Sequence, residues 1–206
     1  MEHQNSISET YIQSPQPWPY VLNRRETFEI LPPKEGCILF VGDSITQRNE
    51  WAEMFNNPNI INRGIDSDRL TWLNERMPNL LANKPSKIFI KIGINDIMDG
   101  KRAMQMQEEY KVIFDQFKTL DDCTVYVQSC LPVNNTVYEH PIDNAVVQSI
   151  NEMLEPLANE YGFKFINLYE HFVDSNNELV SDYTRDGVHL NGTGYLVWKK
   201  QIEQYV

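Results

Sequence analysis

The chain has 206 residues, of which 41% are hydrophobic and 23% are charged, a composition typical of one globular domain. Its formal net charge of −11 disfavours nucleic acid as a partner, because phosphate backbones attract basic surfaces. The sequence contains no apolar run of transmembrane length and no CxxC or HExxH spacing, so we expect neither a membrane span nor a metal site.

The amino-terminal segment differs in composition from the rest of the chain. It lacks the apolar stretch of a secretory signal, so we expect a cytoplasmic protein with free cysteines. The motifs SPQPWPY and LPP predict an extended strap over residues 1–33 rather than a folded unit. We therefore expect a single domain over residues 34–206.

From residue 36 onward, strand-like and helix-like segments alternate. Short apolar or β-branched runs predict strands at 37–41, 59–61, 87–92, 124–128 and 163–168. Apolar residues at helical spacing predict helices around 51–55, 70–77, 106–117, 142–157 and 195–205. Such alternation predicts a three-layer α/β/α fold, in which helices cover both faces of a five-stranded parallel sheet.

Polar residues follow the first three predicted strands at the point where each strand ends. These residues are GDS at 42–44, NRGIDS at 62–67 and GIND at 93–96. Sites in parallel α/β sheets form beyond the carboxyl ends of the strands, where the strand order reverses. If the sheet order begins 2-1-3, then Ser44, Ser67 and Asn95 converge on one site.

A serine hydroxyl needs a base before it can act as a nucleophile, and His189 is the best candidate among the four histidines. Asp186 precedes it by three residues across a glycine-containing turn. A carboxylate at that spacing can accept the imidazole Nδ1–H, which leaves Nε2 free to take the serine proton. Two simpler interpretations remain: Ser44 could be only a helix N-cap, and Asp186 with His189 an ordinary surface turn.

The segments GDSIT at 42–46, NRGI at 62–65, GIND at 93–96 and DGVH at 186–189 resemble, in order, the four sequence blocks of the GDSL/SGNH hydrolase family. The resemblance extends over residues 37 to about 196. Within the family, the chain looks most like the small esterases related to platelet-activating-factor acetylhydrolase and bacterial carbohydrate acetylesterases. This resemblance implies the flavodoxin-like strand order 2-1-3-4-5 and a serine esterase without metal or other cofactor.

The resemblance also implies a role for each matched residue. Ser44 would be the nucleophile, His189 the base and Asp186 its orienting acid. The oxyanion hole would use the backbone N–H groups of Ser44 and Ser67 and the side-chain amide of Asn95. The family usually has glycine where this chain has Ser67, whose N–H can still donate but whose dihedral angles we expect to be strained.

We expect the substrate to be a small short-chain ester, most simply an O-acetyl group on a carbohydrate or similar polar alcohol. Ile45 and Leu190 follow the nucleophile and the base, and we expect them to wall the acyl pocket and crowd a long chain. The polar loop at 132–141 favours a polar alcohol over a membrane lipid. The alternatives are a lysophospholipase or thioesterase on the same machinery, or a carbohydrate-binding module without turnover; a homodimer also stays open.

Overall fold

The computed structural model describes residues 16–206, whose centre is a sheet of five parallel strands. The strands are β1 (Ile38–Gly42), β2 (Ile60–Gly64), β3 (Lys87–Lys91), β4 (Thr124–Gln128) and β5 (Lys164–Ile166). They lie side by side in the order β2-β1-β3-β4-β5, which confirms the predicted order. The carboxyl ends of β2, β1 and β3 therefore lie next to one another.

Helices connect and flank the strands. In the described residues they are α1 (Pro19–Ile30), α2 (Ser44–Gln47), α3 (Trp51–Met54), α4 (Leu70–Glu75), α5 (Met77–Leu81), α6 (Ile94–Met98), α7 (Ala103–Phe117), α8 (Asn144–Glu160) and α9 (Gly192–Ile202). Short 3₁₀ turns at Tyr169–His171 and Ser181–Tyr183 come between β5 and α9. None of these helices within residues 16–206 has the length and apolar character needed to cross a membrane.

One face of the sheet carries a row of aromatic rings. Phe40, Phe89 and Tyr126 stand in register on three neighbouring strands, and their ring centroids lie 4.9 and 4.6 Å apart. Trp51 of α3 stacks on Phe40 at 4.5 Å and meets Trp198 of α9 edge-on at 4.9 Å. Because α9 follows His189 directly in the chain, this packing brings the predicted base back to the strand ends.

Residues 19–30 correct one prediction, because they form helix α1 rather than part of an extended strap. Pro19 lies in the first turn of the helix, where the missing backbone N–H costs nothing, so the proline-rich sequence is compatible with a helix start. The helix buries Val21 and Phe28 against Ile65 and Trp72, in a small second core. Residues 1–15 lie outside the described residues, and the extended prediction stays untested there.

Strand β1 ends at Gly42, where neighbouring chain segments leave no room for a side chain. A Cβ atom at this position would lie 2.1 Å from the carbonyl oxygen of Lys91 and 2.4 Å from Oγ1 of Thr46. Glycine at this position thus allows β1 to lie close beside β3 while the chain turns directly into α2.

We expect Gly42→Ala to lower the free energy of unfolding by about 2–3 kcal/mol, because a contact with backbone atoms cannot be relieved by rotating a side chain. Gly192→Ala is the matched control, since a Cβ there would meet no heavy atom within 4 Å. Urea unfolding of both variants measures the difference. Equal stabilities would contradict the close approach at Gly42.

Candidate active site

Ser44 occupies the first position of α2, immediately after β1. The N-cap of this helix is Asp43, whose Oδ1 accepts the backbone N–H of Ile45 at 3.0 Å. The interpretation of Ser44 as a mere N-cap is therefore wrong, because its neighbour already fills that role. The hydroxyl of Ser44 is instead directed towards His189, with 2.9 Å between Oγ and the imidazole Nε2.

The imidazole of His189 connects two polar side chains. Its Nδ1 lies 2.7 Å from Oδ2 of Asp186, and its Nε2 contacts Ser44, which is 145 residues away in the chain. A carboxylate can only accept a hydrogen bond, so Nδ1 carries the proton and Nε2 presents its lone pair to the serine hydroxyl. The three side chains expected to form a catalytic triad thus lie in one hydrogen-bonded chain.

The carboxylate of Asp186 is held by its own turn as well as by the imidazole. Oδ1 accepts the backbone N–H groups of Val188 at 3.0 Å and His189 at 2.8 Å. Burial alone would raise the pKa of Asp186, but these hydrogen bonds and the one from the imidazole outweigh burial and lower the pKa to about 2. Asp186 therefore stabilises the fold above about pH 4, and its contribution is lost as the pH falls towards 2.

The loop after β4 supports the turn that carries Asp186. The backbone N–H of Asn134 donates to the carbonyl oxygen of Gly187, and Nε2 of His140 donates to that of Asp186, both at 2.7 Å. A Cβ at Gly187 would lie 2.4 Å from the carbonyl oxygen of Asn134, so only glycine allows this approach. Sequence reasoning placed this loop beside the site but gave His140 no role.

Ser67 lies in the loop between β2 and α4, and Asn95 is the second residue of α6, directly after the segment that follows β3. Ser67 has a φ of +64°, in the left-handed region, which agrees with the expectation of a strained backbone. Asn95 donates one Nδ2–H to the carbonyl oxygen of Asp68 at 2.9 Å, and the amide has a second N–H to offer. Ile65 donates its backbone N–H to Gly42, which joins the Ser67 loop to the end of β1.

Residues 40–197 match the model of the GDSL-like lipase/acylhydrolase family. The chain belongs to this family. This is a family of ester hydrolases, and the matched range includes every residue of the expected triad and oxyanion hole.

Individual proteins similar to this chain extend the comparison. A Streptococcus pneumonia structure described in connection with platelet activating factor is 27% identical, with a TM-score of 0.80 and 90% coverage of each chain. An acetyl-xylooligosaccharide esterase from Geobacillus, 16% identical with a TM-score of 0.67 over 84% of this chain and 94% of that one, shares the fold. N-acylneuraminate cytidylyltransferase of Escherichia coli is 30% identical over 129 residues, which are 62% of this chain. The aligned segment is only 30% of that relative's length.

The structure places Ile45 and Leu190 away from any open surface. The two residues are only 1% and 7% exposed and pack in the main core. Ile45 packs in the main core, and its carbonyl oxygen accepts the hydroxyl of Tyr195. These two side chains offer almost no surface to an acyl group, and any preference for a short acyl chain has to be argued from other residues.

Two buried ion pairs involve residues next to Ser67 and Asn95, and the sequence analysis did not predict either pair. In the first of them, Arg76 contacts Asp68 at 2.6 Å. In the second, Lys101 contacts Asp96 at 2.9 Å, and Asp96 also accepts the backbone N–H of Leu70. Burial raises the pKa of Asp96 to about 7, against the opposing effect of the Lys101 ammonium. At the sequence level such residues look like exposed loop charges, so nothing marks them as buried.

We expect Asp186→Asn to lower kcat by roughly 10²–10⁴-fold, because an amide can donate to the imidazole and so favour the wrong tautomer. Asp182→Asn, an exposed carboxylate on the preceding 3₁₀ turn, is the matched control and should keep full activity. Steady-state hydrolysis of p-nitrophenyl acetate measures both variants. Wild-type kcat in a folded Asp186→Asn protein would show that this carboxylate does not orient the base.

Proposed function

We propose that this acylhydrolase removes short acyl groups, above all O-acetyl groups, from a carbohydrate or similar polar alcohol. Ser44, His189 and Asp186 act as its catalytic triad. The observation that carries the proposal is the pair of hydrogen bonds of 2.9 and 2.7 Å that links the serine hydroxyl through the imidazole to the carboxylate. Acyl transfer through a serine requires this order of groups.

In the first half of the reaction, Oγ of Ser44 attacks the ester carbonyl carbon while Nε2 of His189 takes the hydroxyl proton. The carbonyl oxygen becomes an oxyanion that accepts hydrogen bonds from the backbone N–H groups of Ser44 and Ser67 and from the amide of Asn95. When the tetrahedral intermediate collapses, the alcohol leaves with the proton from Nε2, and the acyl group stays on Ser44.

In the second half, water takes the place of the alcohol. His189 accepts a proton from water as its oxygen attacks the acyl carbon, and the same oxyanion hole stabilises the second tetrahedral intermediate. Collapse releases the carboxylic acid and returns the proton to Oγ of Ser44. Asp186 stays ionised throughout, because its pKa of about 2 lies far below neutral pH.

The polarity around Ser44 supports a short acyl group and a polar alcohol. Among the described residues, no large hydrophobic side chain is exposed within 42–47, 62–69 or 186–191. Binding a long acyl chain draws on roughly 25 cal/mol for each Å² of apolar surface covered, and these segments offer little of it. The names of two similar proteins refer to a xylo-oligosaccharide and to N-acylneuraminate, which also favours a sugar as the alcohol.

Acetate release from a panel of acetylated sugars tests the proposed reaction. The panel contains the O-acetylated forms of monosaccharides, of xylo-oligosaccharides and of N-acylneuraminate. We expect the wild type to release acetate. Ser44→Ala should lower kcat by at least about 10³-fold. Ser175→Ala, which removes an exposed serine hydroxyl, is the matched control and should keep wild-type kcat.

A fluorophosphonate probe separates the enzyme from a binding module that lacks turnover. The wild type should form an adduct at Ser44 that mass spectrometry locates, and Ser44→Ala should not. A folded wild type that forms no adduct and releases no acetate would support the carbohydrate-binding alternative instead.

A series of p-nitrophenyl esters tests the acyl preference. We expect kcat/KM to fall by at least about tenfold from acetate to decanoate, because segments 42–47, 62–69 and 186–191 expose no large hydrophobic side chain to a long acyl chain. Butyrate should lie between the two. A preference for decanoate would favour the lysophospholipase or thioesterase alternative, while leaving the triad assignment unchanged.

A further inference from the structure

Ser67 adopts a backbone conformation that is unfavourable for a residue with a Cβ atom. Its φ of +64° is in the left-handed region, which costs a non-glycine residue about 1–2 kcal/mol. Such a conformation persists only where the surrounding structure holds it in place. The residues that hold this loop are therefore important for the direction of the Ser67 N–H.

Gln47, one helical turn after Ser44, holds the residue that precedes Ser67. Its Oε1 accepts the backbone N–H of Asp66 at 2.6 Å, and its Nε2 donates to the hydroxyl of Tyr20 at 2.6 Å. The Asp66 N–H fixes the orientation of the amide, because only the amide oxygen can accept from it, and the Nε2 end then faces the Tyr20 hydroxyl. Tyr20 of α1 is thus linked to the oxyanion loop by two successive hydrogen bonds.

Apolar packing of α1 also restrains the loop that contains Ser67, through Ile65. Val21, next to Tyr20 in the chain, is fully buried in the small core that also contains Phe28, Ile65 and Trp72. Ile65 is 0% exposed and lies directly before Asp66. Helix α1 itself precedes the residues that match the family, which begin at 40.

We propose that helix α1 is a support of the oxyanion hole and that Tyr20 and Gln47 are positioning residues for the N–H of Ser67. The inference rests on the proposed function, because it takes Ser67 as an oxyanion donor. A glycine at position 67 adopts the left-handed region freely, whereas a serine there needs restraint, which these contacts supply together with the hydrogen bond from Arg69 to the Ser67 carbonyl oxygen. The amino-terminal helix thus compensates for the departure from the family's usual glycine.

The expected effects follow from how the contacts act. Gln47→Ala removes the acceptor of the Asp66 N–H, and we expect kcat to fall about tenfold, less than the roughly 10²–10³-fold cost of losing an oxyanion donor entirely. Tyr20→Phe removes only the hydroxyl, and we expect a decrease of about threefold, since its hydrogen bond is solvent-exposed. KM should change little, because the oxyanion forms only in the transition state.

A second substitution separates positioning from a general loss of stability. Ser67→Gly in the Gln47→Ala background should restore most of the lost kcat, because glycine needs no restraint at this φ. Tyr161→Phe is the matched control, since it also removes one tyrosine hydroxyl, here bonded to Asp115. This control should leave kcat unchanged.

Hydrogen exchange at the Asp66 amide provides a measurement that does not depend on turnover. Gln47→Ala and Tyr20→Phe should both speed this exchange, by at least about tenfold for Gln47→Ala, and Tyr161→Phe should not. Unchanged exchange overturns the proposal, and so does faster exchange with wild-type kcat or a loss of kcat that Ser67→Gly does not restore. If the wild type neither hydrolyses esters nor labels at Ser44 while exchange responds as expected, the proposed function has failed and the support of the loop stands.

Discussion

The parallel pairing of β2, β1 and β3 is the constraint on which the site depends. Gly42 at the end of β1 pairs with Gly64 on one side and Lys91 on the other, so three loops begin at the same edge of the sheet. This register makes the segments that carry Ser44, Ser67 and Asn95 start from one edge of the sheet, although the three residues are distant in the chain. Only the histidine and its carboxylate have to be supplied from elsewhere, and the packing of α9 on the aromatic face supplies them.

The loops at this edge are fixed by polar contacts that add little to net stability. A buried ion pair such as Arg76–Asp68 roughly offsets its own desolvation, but removing either partner leaves an uncompensated charge. Each such pair joins elements that carry or flank site residues, as Lys101 does by holding Asp96 in α6. Their main effect is therefore geometric, since they restrict the segments at this edge of the sheet to one arrangement.

The sequence predicted those features that local patterns determine. Strand 124–128 agrees with β4 to the residue, and the strand order was confirmed, because apolar runs and crossover helices restrict parallel folds to few topologies. Strand β2 extends three residues beyond its predicted end, because pairing with β1 continues through polar residues that look like a loop. Helix α1 was missed because the prolines in and around it indicate extended chain, whereas its contacts with distant residues, such as the apolar packing on Ile65 and Trp72, are invisible to local pattern.

The hydrogen bonds that join distant segments at the site could not be predicted from the sequence, because no local pattern marks their partners. Tyr20 and Gln47 are 27 residues apart, and each taken alone is an ordinary polar surface residue. Their hydrogen bond gains its significance from Ser67, because a serine with a left-handed backbone needs a restraint that a glycine would not need. A position at which the chain departs from its family's usual residue thus identifies where compensating contacts are needed. One of those contacts comes from Tyr20 of α1, outside the family match, and the other from Gln47 within it, so our proposal makes helix α1 part of the support of the site.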